Sequence, residues 1–266
     1  MFAFTTGLRS TSGEYRDDNQ DSLYASALSA FVADGVGGHA GGDVASSAVT
    51  IRIAATLDAT HGLVRSDDRL RELVAIANAE LATRSRRDPA LAGLATTFTG
   101  IFSDGAVIRI AHLGDSRAYR LRAGELTQMT RDDSLVQELV ESGRLTSEQA
   151  KVHPYRSVVM EVLTGDPEDG RALHLATDAP QVGDRWLLTS DGLTDYVPLE
   201  LVRECLGSDA HPQDVADLLV ETAVALQAHD NISVVVADVM EAEAEPPYLP
   251  AFAGAAALDP ASAGEL

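Results

Sequence analysis

Cysteine, lysine, aromatic side chains and long apolar runs are all scarce in this chain, and each shortage excludes a class of protein. Cys205 is the only cysteine among 266 residues, so no internal disulfide framework and no cysteine metal cluster can form. It lies in Leu201-Val202-Arg203-Glu204-Cys205-Leu206, which reads as buried helix, so a structural thiol is expected there, not a nucleophile. No histidine pair stands at zinc spacing, which disfavours zinc. No apolar run reaches the roughly 18–20 residues that span a bilayer. The N-terminus lacks a basic stretch followed by an apolar one, so no signal peptide is expected and the cytoplasm is the default compartment. Lys151 is the only lysine; Lys and Arg number 20 against 41 Asp and Glu, a formal net charge of −21. Such a surface argues against nucleic acid and against charge-driven binding to anionic lipid, so neither is an expected partner. It favours solubility and leaves carboxylates available for hard cations.

The apolar fraction is 45% with only 5% aromatics, so aliphatic side chains must fill the core of one large domain. Residues 1–240 alternate apolar runs with turn signals. Strands are predicted at Phe2–Leu8, Leu23–Ala33, Ala95–Phe102, Ala106–Leu113, Arg117–Leu121, Ala172–Ala176, Asp184–Thr189 and Asn231–Val239. Helix spacing appears in Leu70, Leu73, Val74, Ala77 and Leu81, in Val44, Ala48, Ile51 and Ala55, and in Val215, Leu218, Leu219, Thr222 and Leu226 behind Pro212. Short strands at hairpin spacing with long flanking helices predict an α+β layered sandwich of antiparallel sheet. Residues 132–162 differ: Asp133–Glu141 and Thr146–Val152 read as two short helices inserted between strands, either a flap over a site or plain packing. From Glu241 to Leu266 the chain turns rich in Ala, Pro and Glu, which predicts a disordered tail whose removal from residue 245 leaves activity intact.

Four aspartates stand where apolar strands end or begin. Phe31-Val32-Ala33 runs into Asp34-Gly35, Ile108–Leu113 into Gly114-Asp115, Trp186–Ser190 into Asp191-Gly192, and Asp230-Asn231 precedes Ile232–Val236. A strand end aims a short side chain well. Asp-Gly is also ordinary turn chemistry, so any one of these alone is equally a turn. If they converge, they make an all-oxygen shell suited to Mg²⁺ or Mn²⁺. Two such ions can activate a water for hydrolysis of a phosphate ester.

At these residues the chain resembles the bacterial branch of the metal-dependent PPM-type protein serine/threonine phosphatases, the protein phosphatase 2C family. Arg16-Asp17-Asp18-Asn19-Gln20-Asp21 resembles the family's first motif and Asp34-Gly35-Val36-Gly37-Gly38-His39 its second. Leu113–Tyr119, Ser190-Asp191-Gly192-Leu193-Thr194-Asp195 and Asp230-Asn231-Ile232-Ser233 resemble the later ones. The resemblance covers residues 1–240 and implies a four-layer αββα sandwich, two antiparallel sheets flanked by helices, with the 132–162 insertion as flap. It implies two Mn²⁺ or Mg²⁺ ions with a possible third. Asp34 would bridge the ions, the Gly35 carbonyl would serve the second, Asp191 and Asp230 the first, Asp21 would act through water, and Asp115 with Asp191 would form the third site. Arg16 would clamp the substrate phosphate, as guanidinium geometry suits. The catalytic set is thus Arg16, Asp34 and Asp191. Phosphorylated proteins, with Ser/Thr kinases and their targets, are the implied partners of a monomer.

Two departures matter. Val36 stands where eukaryotic members carry a histidine that is a proposed general acid; His39 or a water on a metal are the alternatives. Gln20 replaces a position often Glu, which predicts a modest loss of metal affinity. Two rival readings remain: a regulatory phosphoprotein-binding member of the same fold with weak catalysis, and a β-sandwich binding Ca²⁺ through acidic loops. The second would need its ligands in one loop, whereas these run from Asp21 to Asp230. An aspartyl-phosphate chemistry would want a second Asp where Val36 stands.

Overall fold

The structure is a computed structural model that describes residues 1–36, 41–244 and 246–258. Gly37, Gly38 and His39 of the second motif therefore lie outside the described residues. The first sheet runs β1-β11-β10-β7-β8, from β1 (Phe2–Thr11), β7 (Arg117–Arg122), β8 (Glu125–Gln128), β10 (Arg185–Thr189) and β11 (Ile232–Glu241). The second runs β12-β2-β3-β5-β6-β9, from β2 (Asp21–Ala25), β3 (Ser29–Val36), β5 (Phe98–Ser103), β6 (Ile108–Leu113), β9 (His174–Asp178) and β12 (Ala251–Gly254), with the short β4 (Ala95–Thr96) on β3. Every pair of neighbouring strands in both sheets is antiparallel.

Side-chain alternation builds the layers. Along β11, Ile232, Val234 and Val236 enter one core while Val235, Ala237 and Val239 enter another. A strand buried on both faces reads as a continuous apolar run, although its side chains still alternate. In the second sheet Leu23, Ala25, Ala30 and Val32 meet β11 in the central core. Tyr24 and Phe31 point outward, their rings stacked 4.7 Å apart. Helices α1 (Gly42–Asp58) and α2 (Asp67–Arg87) seal that outer face, and α5 (Asp191–Thr194), α6 (Leu199–Leu206) and α7 (Pro212–Ala225) seal the first sheet. The result is the four-layer αββα sandwich expected. Cys205 is buried in α6, and burial raises its thiol pKa. No helix among the described residues is long and apolar enough to cross a membrane.

The helix spacing over 70–81 holds: all five residues are buried in α2, which Ser66 caps by accepting the Arg69 amide. In α7 the buried stripe is Val215, Ala216, Leu219, Val220 and Ala223, which turns Leu218 out to solvent. The run Leu23–Ala33 is two strands, not one. Ser26 breaks it, its Oγ accepting the amides of Leu28 and Ser29 at 3.4 and 3.2 Å. In the insertion, Ser134 and Thr146 cap α3 (Leu135–Glu141) and α4 (Ser147–Lys151), so both helices begin just inside the predicted ranges.

The tail needs correction. Ala251–Gly254 pairs with Ala25–Ser22 as an edge strand, and α8 (Ala255–Leu258) follows. Phe252 sits edge-on to Tyr24 at 5.4 Å, and the Tyr248 hydroxyl bonds that of Tyr24 at 2.9 Å. The Ala/Pro/Glu composition of 241–266 masks one apolar segment, Tyr248–Ala253, which is enough to cover the free edge of β2. The packed unit therefore extends to Leu258, beyond the boundary predicted at residue 240.

Candidate active site

The antiparallel register of β2 and β3 sets Asp21 directly opposite Asp34. The ends of β10 and β11 in the other sheet supply Asp191, the first residue of α5, and Asp230, two residues before β11. Asp115 occupies the turn from β6 to β7. Hydroxyls tie these ends together. Ser190 Oγ donates to Asp21 Oδ2 at 2.8 Å and accepts the Ser233 amide at 3.2 Å. Thr97 Oγ1 accepts the Asp34 amide at 3.0 Å and shares a 2.9 Å bond with Ser116 Oγ. Asn231 binds the Gln20 amide and the Asp18 carbonyl, both at 2.9 Å, joining the first motif to the last.

Two glycines allow this closeness. A Cβ on Gly192 would lie 1.9 Å from the Asn231 carbonyl oxygen, and one on Gly35 would lie 2.2 Å from that of Gly42. No side chain fits at either position, which explains the Asp-Gly pairs by packing instead of by turn geometry.

The carboxylates perturb one another. Burial raises the Asp34 pKa well above the ordinary value, and the charges of Asp21, Asp191, Asp115 and Asp230 add to it. Asp191 is raised likewise, by burial and then by Asp115, Asp195, Asp230 and Asp21. Burial pushes Asp21 up to about 6, and Asp115 up to about 7 with help from Asp132. All five aspartates named from the sequence thus share one field.

Their orientation is not yet that of a closed ligand shell: among the described residues, no three His, Cys, Asp or Glu side chains turn onto one common point. Asp230 accepts from Arg16 Nη2 on Oδ2 at 2.9 Å and from the Asn231 amide on Oδ1. Arg16, expected as a phosphate clamp, is therefore held to the centre by a carboxylate, with a second bond from Nε to the His229 carbonyl at 3.3 Å. The donor set nonetheless fits a hard cation. It is all oxygen, its like charges outnumber the cations beside them and raise one another's pKa, and Asp21 Oδ1 is buried with no hydrogen-bond partner.

A groove of about 600 Å³ opens beside Asp115 and Asp191, lined also by Val136, Val140 and Lys151 of the insertion and by Tyr196. Arg117 holds the insertion's root, donating to Asp132 at 2.6 Å. The sequence reading missed Thr97, Ser190, Ser116 and Asp132 as supports. Ser and Thr at strand ends carry no signal of their own, since their partners are distant in sequence.

Two antiparallel sheets that bring carboxylates close together at their strand ends define an acidic centre, and comparison with known proteins gives the chain a family. The protein phosphatase 2C family model matches residues 9–231, and the chain belongs to that family. It is 42% identical over 236 residues to the serine/threonine protein phosphatase PstP of Mycobacterium tuberculosis, covering 88% of this chain but 44% of that protein. The chain thus spans less than half the length of that relative. It is 33% identical over 245 residues to the protein phosphatase PhpP of Streptococcus pneumoniae, covering 88% of this chain and 96% of the other. The crystal structure of the PstP catalytic domain in complex with two manganese ions superimposes with a TM-score of 0.81 at 38% identity, covering 90% of this chain and all of that one.

Proposed function

We propose that this chain hydrolyses phosphoserine and phosphothreonine in proteins at the Asp34–Asp191 centre, with two divalent ions, Mn²⁺ or Mg²⁺, as cofactors. The observation that carries this reading is the cluster of buried carboxylates with raised pKa, including an Asp21 oxygen that no protein donor satisfies. Manganese in the similar PstP catalytic domain supports it.

In this reading Asp34 is shared between the ions, Asp191 and Asp230 hold the first, and the Gly35 carbonyl serves the second. Asp21 acts through water, and Asp115 with Asp191 offers a third position. When bound, the ions supply Lewis-acid chemistry: they acidify a water and offset charge on the phosphoryl group. The chain does the rest. Ser190 and Thr97 fix the carboxylate-bearing strand ends, so little reorganisation is needed as charge develops. Arg16, exposed at the rim, turns part of its fork to the phosphate oxygens. The groove beside Asp115 and Asp191 receives the polypeptide on either side of the phosphorylated residue. Phosphorylated proteins are the substrates, with Ser/Thr kinases and their targets as partners by family analogy.

Hydrolysis of a phosphothreonine peptide should appear with Mn²⁺, vanish with EDTA and return with excess Mn²⁺. A folded chain inactive in all three conditions would instead be a regulatory phosphoprotein-binding member of the family.

A further inference from the structure

Exposed rings flank the proposed phosphate clamp. Tyr15 leans on His229 with ring centroids 4.0 Å apart and planes tilted by 40°. Tyr196 follows at 6.0 Å from His229 and also walls the groove, so rings and groove meet. Tyr15 is 48% exposed, and His229 is exposed as well. Their backbone is fixed. Arg16, next to Tyr15, bonds the His229 carbonyl and Asp230, while Asn231 bonds Asp18 and Gln20. An exposed tyrosine alone is ordinary. Rings packed at a tilt and pinned beside a guanidinium form a face that adjoins the groove through Tyr196.

Charge selects what that face holds. Glu14, Asp17 and Asp18 are exposed in the same loop as Tyr15, and the chain carries a net charge of −21. An acidic side chain is repelled there, and an aliphatic one gains only area. A guanidinium or ammonium gains both the ring face and the surrounding carboxylates.

We propose that Tyr15 and His229 form a ledge for an arginine or lysine flanking the phosphorylated serine or threonine, so that basic phosphopeptides are preferred substrates. This rests on the phosphatase reading and adds a specificity to it. The ledge touches the substrate's neighbouring residue and not the phosphate, so it acts on peptides and not on small esters.

The test uses phosphothreonine peptides that differ only in the flanking residues, Arg, Leu or Glu, with Mn²⁺, and p-nitrophenyl phosphate as a substrate without flanks. The wild-type chain should favour Arg over Leu in kcat/KM by about fivefold, as exposed cation–π contacts allow, and should disfavour Glu. Tyr15→Ala should bring the Arg-to-Leu ratio to about one, whereas Tyr15→Phe should keep it, since the ring face and not the hydroxyl is used. Equal rates for Arg and Leu peptides while p-nitrophenyl phosphate turns over would overturn the ledge alone, as would an Arg preference that survives Tyr15→Ala. No hydrolysis of any substrate by the folded wild type would overturn the phosphatase reading and the ledge with it.

Discussion

Asp21, Asp34, Asp191 and Asp230 stand on strand ends packed too closely for a methyl group beside Gly35 or Gly192, whereas α3 and α4 of the insertion bury no residue. Both regions border the same groove. One is held by buried hydroxyls and a two-sheet core. The other hangs from its root, where Arg117 pairs with Asp132 and the Asp133 amide bonds Gly114 at 2.7 Å. The contrast is between a centre that must hold like charges together and an insertion whose helices are free of the core.

The strongest way to break the centre is to remove a carboxylate. Asp191→Ala should lose about a hundredfold or more of metal-dependent turnover, the scale of a lost electrostatic contact to the reacting charge. The same change removes a charge that raises Asp34, so the melting midpoint in EDTA should rise. Turnover near wild type would sink the metal assignment for Asp191.

Packing gives the next largest effect and a direct contrast. Gly192→Ala drives a Cβ into the Asn231 carbonyl and should cost about 3 kcal/mol as the backbone shifts. Gly143→Ala, between α3 and α4, meets no atom within 4 Å and carries only its φ of +70°, which limits the cost to about 1 kcal/mol. Equal losses in chemical denaturation would erase the distinction between the two regions.

How much of this was legible in sequence follows the same division. Asp34, Asp115, Asp191 and Asp230 were visible because each adjoins an apolar strand, and strand periodicity is local. The β2–β3 break was not, because it depends on Ser26 Oγ capturing two amides. Ser190 and Thr97 were silent, since their partners lie 169 and 63 residues away. The tail misled because composition averages over a segment, while an edge strand needs only a few apolar residues meeting a free neighbour.

That tail supplies the third test. Removing residues 245–266 strips β12 and the buried Ala255 and Ala256 from β2, the strand that begins with Asp21. Loss of this packing, with Phe252, should cost about 2–3 kcal/mol and loosen metal binding at Asp21, contrary to the expectation from composition. Unchanged midpoint and Mn²⁺ dependence would show that β12 is dispensable to the centre.

Acidity probes the centre more gently. Asp21 and Asp115 titrate near 6 and 7 when folded, above the ordinary 3.8. The native chain therefore holds protons that the unfolded chain has released. That contribution to stability is fully present below about pH 4 and is lost as pH rises through 6 to 7. In EDTA the midpoint should fall by a few degrees from pH 5 to pH 8, and metal affinity should rise over the same window as ligands deprotonate. A midpoint that climbs across that range without metal would refute the shared field.

The smallest expected effect falls on the 132–162 insertion. The Leu135 amide bonds the Val158 carbonyl at 2.9 Å, so the insertion closes on itself at its neck. Replacing residues 136–157 with a short Gly-Ser linker removes no core side chain and keeps Asp132 and Asp133 on Arg117 and Gly114. Global stability should change by only about 0.5 kcal/mol, the scale of surface changes. Turnover of p-nitrophenyl phosphate should stay close to wild type, while KM for phosphopeptides rises as one wall of the groove is lost. Equal losses on both substrates would mean that the insertion positions the carboxylates themselves, and the division between centre and insertion would fail.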